Sequence, residues 1–300
     1  MLVDNLGGIM TKNILEVKNL KKYYGDIRGV ENVSLSLKEG EAYGFIGPNG
    51  AGKSTTIKTI MNLINKTSGI ITINGKENKK NDLELKRIIG YLPSEINLYS
   101  DLTVKGFLNF HESFYDKDLT KRRNELVNLF KLDATKRIED LSFGNLKKLG
   151  IVLALVHEPK ILILDEPTSG LDPIMQKEFY NLLLEEKKKG TTILYSTHVL
   201  SEVSKICDRI GIIRDGKIIK EDKIENIEKN DMTYLTIESD DINKIKNELK
   251  LKVISENNNS VKFLNNKQPN ELINKISKFN ISKILIEEAP IEDIVMEYYK

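Results

Sequence analysis

The sequence has a single cysteine and no long apolar run, and both shortages limit what the protein can be. Cys207 cannot form an intrachain disulfide, which fits a reducing cytosol, and we interpret it as a core-facing helical residue. No apolar run approaches the ~20 residues that span a bilayer, and the N-terminus lacks the charged-then-apolar order of a signal peptide. We therefore expect a soluble protein.

Net charge is also nearly absent, because Lys+Arg 46 stand against Asp+Glu 44 and leave a formal charge of +2. This balance indicates no polyanion as main partner, so nucleic acid is not expected. The 300 residues favour about two domains and suffice to bury a sizeable core. Met1 to Met10 look like a leader, or the true start is Met10, and residues 1–12 are assigned no fold.

A glycine-rich stretch at residues 47–55 fits G-x-x-x-x-G-K-[ST], the pattern of a phosphate-binding loop. Its glycines let backbone N–H groups turn inward around a di- or triphosphate. Lys53 supplies positive charge for the β- and γ-phosphates, and the Ser54 hydroxyl is a candidate Mg²⁺ ligand. The predicted nucleotide contacts in this loop are Gly47, Pro48, Asn49, Gly50, Ala51, Gly52, Lys53, Ser54 and Thr55.

The loop lies between a predicted strand and a predicted helix, as its function requires. Residues 41–46 form a short, largely apolar run, and Ile57, Ile60, Met61 and Ile64 follow at helical spacing. Such a helix directs its positive N-terminal end at the phosphates. A chance glycine-rich turn is the alternative, but the strand, the helix and the Lys-Ser pair in register argue against it.

Two further predicted strands end in polar residues. The apolar run 159–164 leads into Asp165 and Glu166, which is typical of a central parallel strand buried on both faces. Ligands of open α/β sheets bind at the carboxyl ends of strands, so Asp165 is a candidate Mg²⁺ ligand and Glu166 a candidate proton acceptor. His198 ends the predicted strand 191–198 and falls at the same edge. His111 and His157 have no such context, and we interpret them as surface or packing residues.

The remaining sequence predicts other elements around this core. Alternation over 14–17 and 33–37 indicates strands of a half-exposed antiparallel sheet, and an Asp215-Gly216 hairpin lies further on. Tyr24, before Gly25, either stacks on a purine base or packs as an ordinary surface residue. Periodicity over 102–156 indicates helices, the last being 146–157, for which Ser142 stands near an N-cap position.

Beyond Lys220 the composition changes to Lys, Glu, Asn and Ile, with short alternating elements. We expect strand 233–237, helix 241–249, strands 252–255 and 260–264, helix 270–279, strand 283–287 and helix 291–299. Two β-α-β units of this kind predict a small ferredoxin-like domain. A flexible charged tail is the alternative, against which the recurring Ile, Leu and Val positions argue.

Taken together, the loop at 47–54, Leu141-Ser142-x-Gly144, the run 161–166 and His198 make the chain resemble an ATP-binding cassette (ABC) ATPase. The resemblance covers about residues 14–220. In detail the chain is similar to single-cassette ATPase subunits of bacterial drug, polyketide and peptide exporters, whose permease is a separate polypeptide. Residues 290–299 are similar to the ending common in that group.

The resemblance implies a fold and a domain plan. The fold is α/β: a P-loop NTPase core with an antiparallel β subdomain and an inserted helical subdomain, plus a small C-terminal α+β domain. We expect the ATPase domain at 13–222, its helical subdomain at about 95–158 and the accessory domain at 230–300. The accessory domain is expected either to stabilise a dimer or regulate, or to be a passive appendage.

The resemblance also implies roles for individual residues, with ATP and Mg²⁺ as cofactors. Tyr24 falls at the position that stacks on adenine, and the catalytic residues are Lys53, Glu166 as base and His198 at the γ-phosphate. Ser54 and Asp165 hold Mg²⁺. Ser142 and Gly144 bind the γ-phosphate of ATP held by another protomer, and Asp172 lies at the dimer seam.

The sequence departs from the family pattern at two places. The first is the family's signature, which here is residues 141–145. Phe143 and Asn145 replace a glycine and a glutamine of this signature, while Ser142 and Gly144, which the resemblance implies contact phosphate, are kept. Ser94 stands where a glutamine normally reaches Mg²⁺ and signals to the membrane subunit, and serine is too short for that reach. Either Glu95 or a water substitutes, or the coupling differs.

These features predict an ATPase that dimerises on ATP, with itself or a paralogous ATPase, and drives the integral membrane permease of an exporter. It would be cytoplasmic and peripheral on the inner face of the cell membrane. One alternative is a non-transport ABC ATPase acting on nucleic acid or the ribosome, but the long coiled coil or second cassette of such proteins is absent from the sequence. A phosphate-loop kinase or GTPase is the other, but residues 65–68 lack the aspartate of a guanine-reading motif.

Overall fold

The computed structural model describes residues 12–80, 82–228, 232–265 and 267–288. It divides into two compact units, with the boundary between Ile224 and Glu225. The predicted N-terminal extension, apart from Lys12, and the predicted helix 291–299 lie outside the described residues. No helix in the described ranges is both long and apolar enough to cross a bilayer.

The first unit is built on one mixed sheet. Its strands are β1 (Asn13–Tyr24), β2 (Ile27–Lys38), β3 (Ala42–Ile46), β4 (Ser68–Ile73), β5 (Lys76–Glu77), β6 (Ile89–Leu92), β7 (Ile161–Asp165), β8 (Thr192–Thr197), β9 (Arg209–Arg214) and β10 (Lys217–Lys223). They lie in the order β5-β4-β1-β2-β10-β9-β3-β8-β7-β6. Strands β9, β3, β8, β7 and β6 are parallel, whereas β1 pairs antiparallel with both β2 and β4.

Helices connect and cover these strands. They are α1 (Lys53–Ile60), α2 (Leu83–Arg87), α3 (Val104–Glu112), α4 (Thr120–Leu129), α5 (Phe143–Leu155), α6 (Pro173–Lys188), α7 (Leu200–Val203) and α8 (Ile224–Glu228), which crosses the boundary between the units. A 3-10 turn covers Ile138–Asp140. The core combines side chains from the antiparallel strands, the parallel strands and α1, among them Leu15, Leu37, Phe45, Ile57 and Ile163.

The register of the parallel strands places the predicted functional residues together. Ile46 of β3 pairs with Thr197 of β8, and Asp165 of β7 pairs with Ser196. These three strands therefore end at one edge of the sheet, where the phosphate loop, Glu166 and His198 follow directly. The fold brings to one place residues that are far apart in sequence.

Several predicted elements differ from the observed ones. The strands predicted at 14–17 and 33–37 are parts of a longer hairpin, in which Tyr24 is the last residue of β1. Helix α1 ends at Ile60 and Asn62 adopts a left-handed φ of 54°, so Ile64 does not continue its face. Helix α5 begins at Phe143, three residues before the prediction, because Ser142 caps it.

Helix α6 had no counterpart among the elements predicted from the sequence. Its start has two local signals. The Asp172 side chain accepts a hydrogen bond from the backbone N–H of Met175, and proline occupies the first helical turn.

After α8, the described residues of the second unit form four strands and two helices. They are β11 (Thr233–Glu238), α9 (Ile242–Leu249), β12 (Lys252–Asn257), β13 (Ser260–Asn265), α10 (Pro269–Ile276) and β14 (Lys283–Glu288). The strands are antiparallel in the order β12-β13-β11-β14. A small core joins the sheet to both helices through Leu235, Phe263, Ile245 and Leu272. The unit therefore has an apolar core of its own.

Candidate nucleotide site

The phosphate loop connects β3 to α1 through backbone conformations that favour glycine. Gly50 has a φ of 80° and Gly52 a φ of 107°, both in the left-handed region. A Cβ on Gly47 would lie 2.4 Å from the carbonyl oxygen of Ile213, and one on Gly52 would lie 2.7 Å from that of Gly29. The loop thus packs against its neighbours with no room for side chains at these two positions.

Lys53 lies inside this loop and is almost fully buried. Its ammonium donates to the carbonyl oxygen of Gly47 at 2.6 Å and to that of Pro48 at 3.3 Å. The same nitrogen lies 3.4 Å from Oε1 of Glu166. The positive charge is therefore held between the loop and the carboxylate that follows β7.

Asp165 ends β7 with its carboxylate fully buried. Ser196 donates to Oδ1 at 3.1 Å, whereas the buried Oδ2 has no hydrogen-bond partner among the described residues. Burial raises the pKa of Asp165, and the hydroxyls of Ser54 and Ser196 act in the opposite direction. An unpartnered carboxylate oxygen beside a serine hydroxyl is a donor set suited to a hard divalent cation.

Protein side chains alone do not complete a metal site here. No group of three or more His, Cys, Asp or Glu residues in the described ranges is arranged to hold a metal ion. A cation at Asp165 would take its other ligands from substrate oxygens and water, as Mg²⁺ commonly does.

Glu166 has a left-handed φ of 47°, which is rare outside glycine and costs about 1–3 kcal/mol. Its backbone N–H donates to the carbonyl oxygen of Ser196 at 2.9 Å, which helps to hold the conformation. Oε2 lies 3.0 Å from Nδ1 of His198 and accepts from the Thr197 hydroxyl at 3.4 Å. The structure thus brings together Lys53, Glu166 and His198, as predicted.

A cleft of about 480 Å³ opens beside these groups. The residues that line it are Tyr24, Ile27, Arg28, Gly29, Pro48, Asn49, Gly50, Gly52, Lys53, Ser54, Thr55, Ser94 and Glu166. Tyr24 lies at its rim, 46% exposed, with the ammonium of Lys22 4.5 Å from its ring centroid. A half-exposed aromatic ring beside a cleft that also contains Lys53 and Ser54 is suited to stacking on a base.

Ser142 and Gly144 are not among the residues that line this cleft. Ser142 is exposed and accepts a hydrogen bond from the backbone N–H of Asn145 at 3.3 Å, so it caps α5. A Cβ on Gly144 would lie 2.8 Å from the carbonyl oxygen of Gly170, and the Phe143 ring packs over Gly170. Within one chain, the predicted signature therefore contacts the loop after β7 instead of the cleft.

Comparisons with known proteins agree with this geometry. Residues 30–169 match the family described as ABC transporter. The bacitracin transport ATP-binding protein BcrA of Bacillus licheniformis is 37% identical over 77% of this chain and 76% of its own length. The lantibiotic transport ATP-binding protein SrtF of Streptococcus pyogenes is 41% identical over 72% of this chain and 95% of its own. The chain belongs to the ABC transporter ATP-binding proteins.

A solved structure extends the comparison to the fold. The dimeric post-hydrolysis state of the ATP-binding cassette MJ0796, bound to ADP and Pi, superposes with a TM-score of 0.63 at 28% identity. The match covers 70% of this chain and 98% of that one. The first unit therefore has the ABC ATPase cassette fold, and this ABC protein binds ATP and is an ATPase.

Sequence analysis missed three cleft residues at the start of β2 and one buried glutamate on α7 of this ABC ATPase. Ile27, Arg28 and Gly29 line the cleft, and Arg28 pairs with Asp215 at 2.8 Å. Their signal was available, since they begin β2 directly after the turn that follows Tyr24. A hairpin necessarily places its second strand beside its first.

The other missed residue is Glu202, which lies on α7 and is buried. Its carboxylate accepts hydrogen bonds from the hydroxyls of Thr168 at 2.6 Å, Tyr195 at 3.1 Å and Thr197 at 3.0 Å. It thereby joins the loop after β7 to the end of β8, which carries His198. A single glutamate on a four-residue helix has no pattern from which sequence analysis could infer this.

Ser94 and Glu95 also separate in the structure. Ser94 lines the cleft, whereas Glu95 is exposed. Of the groups considered as substitutes for the glutamine, the Glu95 side chain is therefore not among those that line the nucleotide cleft.

Proposed function

We propose that this chain is the ATP-hydrolysing subunit of a transporter, an exporter, with a permease on a separate polypeptide. The observation that carries the proposal is the meeting of the phosphate loop, Asp165, Glu166 and His198 at one edge of the sheet. Names of relatives support the transport role, because those proteins serve bacitracin and lantibiotic transport.

ATP fits the cleft with its adenine against Tyr24 and its phosphates in the loop at 47–55. The loop amides and the N-terminal end of α1 face the position of the phosphates. Lys53 donates to the carbonyl oxygen of Gly47 at 2.6 Å, and a phosphate oxygen competes for that ammonium. A charged phosphate oxygen would then replace a neutral carbonyl partner of an ammonium that also lies 3.4 Å from Oε1 of Glu166, which favours binding.

Ser54 and Asp165 are the residues proposed to hold Mg²⁺. The unpartnered Oδ2 of Asp165 supports this assignment, because a buried carboxylate oxygen is unfavourable without a cation or donor. When bound, the ion supplies positive charge that offsets the negative charge of the phosphates.

Glu166 is proposed as the base. Its Oε2 hydrogen bonds to His198 and Thr197 and its Oε1 lies near Lys53, so the carboxylate is oriented from three sides. A carboxylate oriented in this way can hold an attacking water in line and accept its proton. His198, half-exposed at the same edge, is proposed to contact the γ-phosphate.

We propose that two copies, or this chain and a paralogous ATPase, pair head to tail around ATP. Ser142 and Gly144 lie outside the cleft of their own chain and Ser142 is exposed, which leaves them available to a partner's γ-phosphate. ATP would then bind the closed pair more tightly than the open one, which shifts the population toward closure. Asp172, which caps α6, is proposed to lie at the seam.

The permease contact is proposed on the helical region at 95–158. Tyr99, Phe110 and Phe114 are exposed there. The ring centroid of Phe110 lies 6.1 Å from that of Tyr99 and 5.1 Å from that of Phe114. Exposed aromatic clusters are typical of protein interfaces. A contact there would make the protein peripheral on the inner, cytoplasmic face of the membrane.

For the domain plan we propose an ATPase domain at 13–222 and an accessory domain at 230–300. The strand order β12-β13-β11-β14 with two helices on one core supports a ferredoxin-like class for the accessory domain. Deleting residues after 224 and measuring ATP-dependent dimerisation distinguishes a dimer-stabilising or regulatory role from a passive one.

The Glu166→Gln variant tests the central proposal. Glutamine keeps the size of the side chain but cannot accept the proton, so ATP binding should persist while turnover falls by about 10²–10⁴-fold. Size-exclusion chromatography with ATP should then show a stable dimer. Undiminished hydrolysis, or a strictly monomeric ATP-bound variant, contradicts the proposal.

Capture of partners tests the transport role separately. The same variant, recovered with ATP from a detergent extract of its native cells, should bring down a polytopic membrane protein. Recovery of ribosomes or nucleic acid instead would favour the non-transport ABC class.

A further inference from the structure

Helix α5, which begins at the signature, is packed unusually close to β6 and the residues that follow it. A Cβ on Gly90 would lie 2.0 Å from the carbonyl oxygen of Ala154, and one on Gly150 would lie 2.4 Å from Cδ1 of Ile96. Glycine at these positions lets the strand and the segment after it lie directly on the helix. Because of this close approach, a buried lysine of α5 contacts the backbone of the segment that follows β6.

That cation is Lys147, which is 1% exposed. Its ammonium donates to the carbonyl oxygens of Pro93 and Ser94, both at 3.3 Å. Burial lowers the pKa of Lys147 to about 8, while the carboxylates of Asp165 and Glu166 act in the opposite direction. Burying an ammonium is unfavourable, and an apolar residue of similar length avoids that cost. The amino group at this position therefore has a use other than packing.

The two carbonyls belong to the segment that links the cleft to the exposed aromatic cluster. Ser94 lines the nucleotide cleft, and the chain continues from it to Tyr99 and α3. At the other end, Lys147 lies three residues after Gly144 on the same helix. Helix α5 thus connects the signature to the backbone at Ser94.

We propose that Lys147 is a positioning residue that holds the Pro93–Ser94 backbone on α5, so that movement of the signature end of the helix displaces the segment leading to Tyr99. This link between the segment and α5 runs through backbone carbonyls and does not depend on the Ser94 side chain. The transmission part rests on the proposed ATP-driven closure, but the holding part does not.

Limited proteolysis of the full chain without nucleotide, by a protease that cuts after glutamate, tests the holding part at the exposed Glu95. Lys147→Met should speed cleavage after Glu95 by about tenfold or more, because the variant loses both hydrogen bonds from the charged ammonium to this segment. Lys148→Met, on the next residue of the same helix, is the matched control and should leave that cleavage rate unchanged. Equal cleavage rates after Glu95 in Lys147→Met and the parent overturn the proposal.

Lys147→Arg keeps the charge and the donors, and it decides the question should Lys147→Met fail to fold. It should retain most of the parent's resistance to cleavage after Glu95. A folded Lys147→Arg protein that is cleaved there at least tenfold faster than the parent contradicts the proposal.

The transmission part is measured with a single tryptophan, since the chain has none. In a Glu166→Gln, Tyr99→Trp protein, ATP should change the tryptophan emission, and adding Lys147→Met should reduce that change at least threefold while ATP still binds. With Glu166 restored, Lys147→Met should lower kcat and leave the KM for ATP unchanged. No ATP-induced change at residue 99, or the same change with and without Lys147, overturns the transmission.

These arms separate the two proposals. A Glu166→Gln protein that binds no ATP, or stays monomeric, refutes the proposed function, and the nucleotide-free proteolysis experiment still decides whether Lys147 holds the segment.

Discussion

Replacing Glu202 by alanine should destabilise the ATPase unit by about 3 kcal/mol. The variant leaves the buried hydroxyls of Thr168 and Tyr195 without their acceptor, and each such loss costs about 1–3 kcal/mol. Thr197 loses less, since its hydroxyl also reaches Glu166 at 3.4 Å. The total lies at the lower end of the about 3–5 kcal/mol expected when a buried charged network is broken.

Thermal unfolding measures this directly. For a unit of roughly 200 residues, 3 kcal/mol lowers Tm by about 6–12 °C. Glu202→Gln keeps the shape and one acceptor oxygen, so it should fall between alanine and the parent. Glu185→Ala, an exposed site on α6, is the control and should stay within about 0.5 kcal/mol of the parent. A Glu202→Ala protein that melts within about 2 °C of the parent would refute the reasoning.

Two further predictions concern pH and packing. Burial lowers the pKa of His157 to about 4 from its ordinary 6.5, so the unfolded chain binds the extra proton first and stability should fall as pH drops from 6.5 toward 4, by about 3 kcal/mol in all. Urea unfolding at pH 7 and pH 5 measures the slope, which should flatten in His157→Phe; an equal slope in both proteins contradicts it. Gly170 has a φ of 81°, and a Cβ there would lie 2.3 Å from the Phe143 ring. Gly170→Ala should therefore lower both Tm and turnover. Adding Phe143→Gly should recover part of the loss, whereas simple additivity in this double-mutant cycle would show that the two residues do not interact.

Much of the candidate site was predictable because its parts are contiguous. Gly47 to Thr55 act through backbone spacing within one loop, and that spacing is visible in the sequence. Asp165 and His198 could be placed at one edge because parallel strands that end together share that edge. For Ser142, the helix-cap and the phosphate-binding interpretations both remained open, and the structure shows that the cap is made within the chain.

The end of α1 and the presence of α6 differ from what the sequence predicted. Helix α1 ends at Ile60, although the apolar spacing continues to Ile64. The spacing of apolar residues does not indicate where the backbone leaves the helix, so it could not predict this end. Helix α6 begins with an aspartate cap and a proline, which are helix-start signals, yet it was not among the predicted elements. For α1 the element was right and the backbone decided its end, whereas α6 was missed altogether.

By itself the sequence determined the chemistry of the loop, the acidic end of the buried strand and the family, because these depend on residue types at short, regular spacings. Only the tertiary structure assigned Glu202 to three hydroxyls and Lys147 to two carbonyls. It also placed Ser94 in the cleft and left Glu95 exposed. The physical reason is that a lone charged residue reads as a surface residue in sequence, and its burial and partners are set by elements distant along the chain.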